Sequence, residues 1–186
     1  MIKHIFLYII LGVQLMSAEK ETIVLGAGCF WCVEAVYERI DGMIDVEAGY
    51  SNGHTENPTY KDICSGNTGF AEVAKVTFDP QRVTLNEILD TFWLAHDPTT
   101  LNRQGADVGT QYRSGIYYLS ETQKELAEKS LNNAQSALKK KIVTEILPLT
   151  KYTVAEDYHQ DYYNNNKSTA YCSYVITPKL KKLKLE

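Results

Sequence analysis

The chain is expected to fold as one α+β domain, a two-layer sandwich of helices packed on a mixed, largely antiparallel sheet with long irregular loops. Three observations lead there. Short apolar runs of strand character alternate with segments of helical period, without the even spacing of a doubly wound fold. The strand candidates carry charged residues on one face, as antiparallel pairs do when one face meets water. The 186 residues, 44% hydrophobic and 23% charged, suffice for a single core, and no repeat or low-complexity linker divides them.

Taken in order, Ile23-Val24-Leu25 is an apolar run ending at Gly26-Ala27-Gly28, a buried strand meeting a tight turn. Val33, Val36, Tyr37 and Ile40 follow at helical spacing, and Asp41-Gly42 stops the helix. Ile44, Val46, Ala48 and Tyr50 alternate with Asp45, Glu47 and Gly49, which predicts a half-buried strand. Ser51 to Gly69 is rich in Asn, Gly, Thr and Ser, with a helical turn expected near Asn57-Pro58, because proline suits a first turn. Ala71 to Phe78 reads as a strand. Thr84 and Glu87 form a capping-box pattern ahead of Leu85, Ile88, Leu89 and Phe92, a helix. His96 to Arg113 shows neither period, and a compact domain rarely keeps so long an irregular stretch without a use. Ile116 to Leu119 predicts a strand, and Ser120 with Gln123 starts a helix holding Leu126, Leu131, Ala134 and Leu138. A strand over Ile142 to Leu147, a short helix over Glu156 to Tyr163 and an extended end around Tyr174-Val175-Ile176 complete the chain.

The first eighteen residues differ from the rest. Lys3 and His4 precede an apolar run from Ile5 to Met16, and Ser17-Ala18 lead into Glu19-Lys20-Glu21. That is the layout of a secretory leader, so 1–18 is expected to be a signal peptide and 19–186 a single exported domain, periplasmic in a bacterium. The run is shorter than the roughly 20 apolar residues of a membrane span; an uncleaved anchor is the alternative. Met16 stands where cleavage after Ala18 favours a small residue. A net charge of -4 argues against a nucleic-acid partner. Lys139-Lys140-Lys141 and the tail Lys179, Lys181, Lys182 and Lys184 read as a solvated helix end and a solvated tail.

Candidate chemistry begins at Gly26-Ala27-Gly28-Cys29-Phe30-Trp31-Cys32. Cys29 follows a glycine turn at the mouth of a helix, where free backbone N–H groups and the helix dipole favour a thiolate. A small buried hydrophobe is the plainer reading. Phe30 and Trp31 would ordinarily be core, but beside a nucleophile they can wall a pocket for a thioether, whose sulfur gains from aromatic contact. Glu72 shares a strand face with Ala74, Val76 and Phe78. Desolvation there would keep its carboxyl protonated and make it a proton donor, unless it reaches solvent at the strand end. Tyr60, Asp107 and Tyr112 lie in the irregular stretches, where phenols can donate to a developing oxyanion or merely fix loops. His54, His96 and His159 stand at no metal-ligand spacing, and no second close pair joins Cys29 and Cys32, so no metal is expected.

Five blocks in order, Gly-Cys-Phe-Trp-Cys-Val-Glu, Asn-Pro-Thr-Tyr, Cys-Ser-Gly-Asn-Thr-Gly-Phe-Ala-Glu-Val, His-Asp-Pro-Thr-Thr and Gly-Thr-Gln-Tyr-Arg-Ser, resemble peptide methionine sulfoxide reductase A. The resemblance runs from about Ile23 to Ile176. It implies reduction of methionine S-sulfoxide, free and in proteins, with Cys29 as nucleophile and Phe30 and Trp31 around the substrate methyl. It further implies Glu72 as proton donor, and Tyr60, Asp107 and Tyr112 holding the sulfoxide oxygen. Cys29 would pass through a sulfenic acid to a disulfide recycled by thioredoxin or another thiol donor, with no bound cofactor. Three departures stand out: Phe70 where many members have His, Cys32 where many have Gly, and a single C-terminal Cys172. Cys172, in a segment expected to be mobile, matches a resolving position; Cys32 is the alternative, and Cys64 is expected to be a buried structural thiol. A monomer suits an enzyme that must reach exposed side chains. Two rivals remain: a thioredoxin-like oxidoreductase using Cys29 and Cys32, and an exported binding module stapled Cys29–Cys32 and Cys64–Cys172.

Overall fold

The computed structural model describes residues 19–186; the expected leader, 1–18, lies outside the described residues. Glu21–Ala27 forms β1, Phe30–Tyr37 α1, Met43–Ser51 β2, Tyr60–Cys64 a short α2, Ala71–Phe78 β3 and Leu85–Ala95 α3. A small hairpin of β4 (Arg103–Gln104) and β5 (Asp107–Val108) follows, then a 3-10 turn at Thr110–Tyr112 and β6 (Ser114–Tyr118). Next come α4 (Glu121–Ala137), β7 (Glu145–Pro148) and β8 (Tyr152–Val154). The remainder is helical: a 3-10 turn at Asp157–His159, α5 (Tyr162–Asn165), a π turn at Cys172–Ile176 and α6 (Thr177–Leu183).

Six strands make one sheet in the order β7-β6-β1-β3-β2-β8. Every pair is antiparallel except β6 with β7, which α4 connects as a crossover. This is the α+β arrangement expected, with β1 and β3 at its centre. Ile23, Leu25, Ala74, Val76, Phe78 and Ile116 meet Val33, Tyr37, Ile88 and Phe92 of the helices in the main core. Val24, Ala71, Val73 and Tyr117 are buried on the opposite face under Leu149 and Tyr152.

Local chemistry explains where the helices start. Thr84 accepts from the Glu87 N–H while Glu87 accepts from the Thr84 N–H at 2.8 Å, the reciprocal box expected at α3. A second such box, Thr59 with Asp62, opens α2 slightly later than Asn57-Pro58 suggested. Ser120 caps α4 through the Gln123 N–H.

The C-terminal part differs from expectation. The segment around Tyr174-Val175-Ile176 is helical rather than extended. Cys172, Ile176 and Leu180, four apart, share one face and pack on Cys32, Ala35 and Val36 of α1, so tertiary burial overrides the β-propensity of Val and Ile. The helix expected over Glu156 to Tyr163 is two short turns separated by Asp161, whose φ of 51° is left-handed. The stretch from His96 to Arg113 contains the β4–β5 hairpin and the 3-10 turn. The strand expected at Ile142 begins only at Glu145, and β8 had no periodic signal in three residues.

Candidate active site

Gly28 makes the turn between β1 and α1. Its φ is 92°, and a Cβ there would lie 2.6 Å from the Gln104 Cβ, so both conformation and close approach require glycine. Cys29 is then the residue that caps α1, and is 8% exposed. Phe30 gives its amide N–H to Glu72 Oε2 at 3.1 Å. The helix mouth thus holds the Glu72 carboxyl, one of its free donors being spent there rather than on the thiol.

Glu72 projects from the start of β3, opposite Tyr50 of β2, and is 1% exposed. Burial raises its carboxyl pKa to about 8, against the lowering effect of the Phe30 N–H. Its Oε1 has no hydrogen-bond partner among the described residues. A buried carboxyl with one oxygen anchored and the other free is a proton donor awaiting an acceptor.

Cys29 packs in a cluster with Phe30, Ala48, Tyr50, Ile63 and Phe70, and Trp31, Tyr60, Tyr112 and Tyr171 lie against it. The structure therefore gathers Cys29, Phe30, Trp31, Tyr60 and Tyr112 as the sequence predicted. The Phe30 ring stacks near Tyr60 at 6.3 Å. Burial pushes the Tyr60 and Tyr112 phenols upward, and the Glu72 carboxylate adds to it, so both remain O–H donors. Trp31 is fixed on two sides, stacked on Tyr162 at 3.6 Å and donating Nε1–H to His159 Nδ1 at 3.1 Å.

The helix start was expected to lower the Cys29 pKa. Burial instead pushes that thiol well above its ordinary range, reinforced by a hydrogen bond to Cys32 and by Glu72. Cys32 comes down to about 7, chiefly through the hydrogen bond it receives from Cys29, with Lys179 and Tyr171 helping. The two thiols thus shift in opposite directions, Cys29 upward and Cys32 downward. Tyr171 lies 3.7 Å from Cys32 Sγ and donates to Asp107 at 2.8 Å. Asp107 accordingly faces the cysteine pair from the side of the hairpin.

Cys172 is not brought to Cys29. It is fully buried in the π turn, packed with Cys32, in a helical segment. Cys64 is exposed, not the buried thiol expected. All four cysteines are free thiols, with neither staple of the binding-module rival in place.

Sequence reasoning missed Tyr171, His159, Tyr162 and Glu156. Glu156 receives the Tyr50 hydroxyl at 2.7 Å and the Tyr60 N–H at 2.8 Å, tying α2 to β2. These residues sit in short turns without period. The one signal was the density of Tyr and His between residues 158 and 174.

A family model described as peptide methionine sulfoxide reductase matches residues 21–186. Peptide methionine sulfoxide reductase MsrA of Saccharolobus solfataricus is 52% identical over 162 residues, 87% of this chain and 92% of its own. Mxr1 of Saccharomyces cerevisiae in reduced form has the same fold at a TM-score of 0.80 and 38% identity, covering 87% of this chain and 94% of that one. Mxr1 in complex with Trx2 matches at a TM-score of 0.57 and 28% identity, covering 82% and 91%.

Proposed function

The chain belongs to the peptide methionine sulfoxide reductase family, and from that premise we propose that it reduces methionine S-sulfoxide, free and in proteins, with Cys29 as nucleophile and Glu72 as acid. The observation that carries the assignment of roles is Glu72 itself: buried, anchored by Phe30, raised to about 8, and with Oε1 unpartnered.

The substrate methyl packs against Phe30 and Trp31, where a polarizable sulfur is favoured at an aromatic wall. The electropositive sulfoxide sulfur draws negative charge onto Cys29, whose proton passes to Cys32. The Cys29 thiolate attacks that sulfur while Glu72 protonates the oxygen, with the Tyr60 and Tyr112 hydroxyls as further donors. Methionine leaves as the thioether, reduced by two electrons, and the oxygen stays on Cys29 as a sulfenic acid. The placement of Cys29 and Cys32 on one cavity that Cys172 does not line supports Cys32 as the resolving thiol, and the burial of Cys172 in the cluster under α1 weighs against Cys172 in that role. The resulting disulfide is reduced by exchange with an external dithiol; the yeast relative solved with Trx2 supports a donor of the thioredoxin type.

Reduction of a methionine-S-sulfoxide peptide with dithiothreitol tests the reading. Turnover by the intact protein that disappears in Cys29→Ser is the expected result. A folded protein without turnover, or a Cys29→Ser variant that still turns over, rules it out.

A further inference from the structure

Beside the aromatic cluster around Cys29, the cysteine pair borders a small open space. A cavity of about 90 Å³ lies beside the β4–β5 turn, lined by Cys29, Cys32, Asp107, Tyr171, Val175 and Lys179. Lys179 comes from α6, in the lysine-rich tail that the sequence alone describes as solvated. It is half-buried, and no carboxylate lies within ion-pair distance of it among the described residues. A long side chain brought down to a small cavity without a carboxylate partner needs another reason to be there. The reacting sulfurs are what it faces.

We propose that Lys179 is a positioning residue for disulfide formation, its ammonium holding the Cys32 sulfur as thiolate while that sulfur attacks Cys29. The proposal rests on the reductase reading above and assigns the recycling half-reaction its electrostatic support. The two tasks draw on different residues around the same pair. Phe30, Trp31, Tyr60, Tyr112 and Glu72 serve the sulfoxide. Lys179, from α6, serves Cys32.

The step balances as follows. The Cys32 thiolate attacks the sulfenic sulfur of Cys29; the S–S bond forms and the S–O bond breaks. Hydroxide departs, and the proton that Cys32 had carried leaves with it as water. No oxidant beyond the sulfoxide already consumed is required. A cation beside Cys32 keeps its proton off at neutral pH and so raises the fraction of attacking thiolate. The charges around that sulfur are Cys29 on α1, Glu72 on β3, Asp107 on β5, and Tyr171 and Lys179 from the C-terminal helical segment. Asp107 opposes the thiolate, and Lys179 is the cation that offsets it. His96, also near Lys179, is held neutral by its burial, its pKa lowered to about 4.

The test mixes prereduced full-length protein with one equivalent of methionine sulfoxide in the presence of dimedone, across pH 6 to 9. Mass spectrometry reads the Cys29–dimedone adduct against the Cys29–Cys32 disulfide. Lys179→Met is expected to raise the adduct-to-disulfide ratio roughly twofold at pH 7 and to move the midpoint of disulfide formation by about half a pH unit upward. Lys179→Arg should restore the original profile. A Lys179→Met profile that overlays the intact protein, or an arginine variant no better than methionine, overturns the proposal. Disulfide forming at Cys172 in place of Cys32 overturns it as well. Failure of the reductase reading is distinct, because then no methionine is released by any of the proteins.

Discussion

Glu72 is where residue-scale chemistry is most exposed to measurement. Its folded pKa is raised to about 8 by burial, above its ordinary range. The neutral form, and the stability it carries, is complete below the ordinary carboxylate range and is lost as pH rises through about 8. Two outcomes follow for one variant. Glu72→Gln keeps the shape and can still accept from the Phe30 N–H, but it cannot deliver a proton, so kcat/KM should fall by about 10²- to 10⁴-fold. In urea unfolding, the intact protein should lose stability relative to Glu72→Gln between about pH 5 and about pH 9; a constant difference would mean that Glu72 titrates normally. The residue's burial was legible because its strand face was legible: Glu72, Ala74, Val76 and Phe78 share parity. The protonation of Cys29 was not. A helix start is visible in sequence, but burial of the thiol and capture of the Phe30 N–H by Glu72 are visible only when β3 lies under α1. Tyr171 was passed over for the same reason, since its partner Asp107 is 64 residues away.

Among elements, a buried side chain of α1 ties it to the backbone at the start of α5. Glu34, 1% exposed, accepts from the N–H groups of Asp161 at 3.0 Å and Tyr162 at 3.2 Å. That contact supports the left-handed turn at Asp161 and sets the Tyr162 ring on Trp31, which carries the pocket wall. Glu34→Ala strips partners from two part-buried amides, each costing about 1–3 kcal/mol. It should also loosen Trp31, raising KM for a sulfoxide peptide more than it lowers kcat. Equal stability and an unchanged KM would remove Glu34 from this role. A simpler element effect is Thr84→Ala at the start of α3, which should cost about 1 kcal/mol without touching KM, because α3 packs in the main core. The caps of α3 and α4 could be read directly because they depend on residues three apart. The C-terminal helical segment could not, because Tyr174, Val175 and Ile176 favour strand locally. Their helical register pays off only where Cys172, Ile176 and Leu180 find α1.

Across the whole molecule, the antiparallel centre of the sheet carries Glu72, the proposed acid, and the β1–α1 turn carries Cys29, the proposed nucleophile. β1 and β3 are neighbours although 43 residues separate the end of one from the start of the other. The fold class could be foreseen from periodicity and composition. Strand order could not, since antiparallel pairing between distant segments leaves no local mark and the parallel β6–β7 pair depends on the α4 crossover. The same topology brings the aromatic cluster around Cys29 and the cavity that Lys179 lines to one cysteine pair, so the proposed reduction and recycling would meet at the same two sulfurs.

The most direct measurement of that account is a single turnover without external reductant. Prereduced protein is mixed with excess racemic methionine sulfoxide, and methionine is counted while the cysteines are mapped. One methionine per chain, drawn from the S epimer alone and matched by a Cys29–Cys32 disulfide, is the predicted result. Methionine released with Cys29 still reduced, or no methionine from a folded protein, would contradict it.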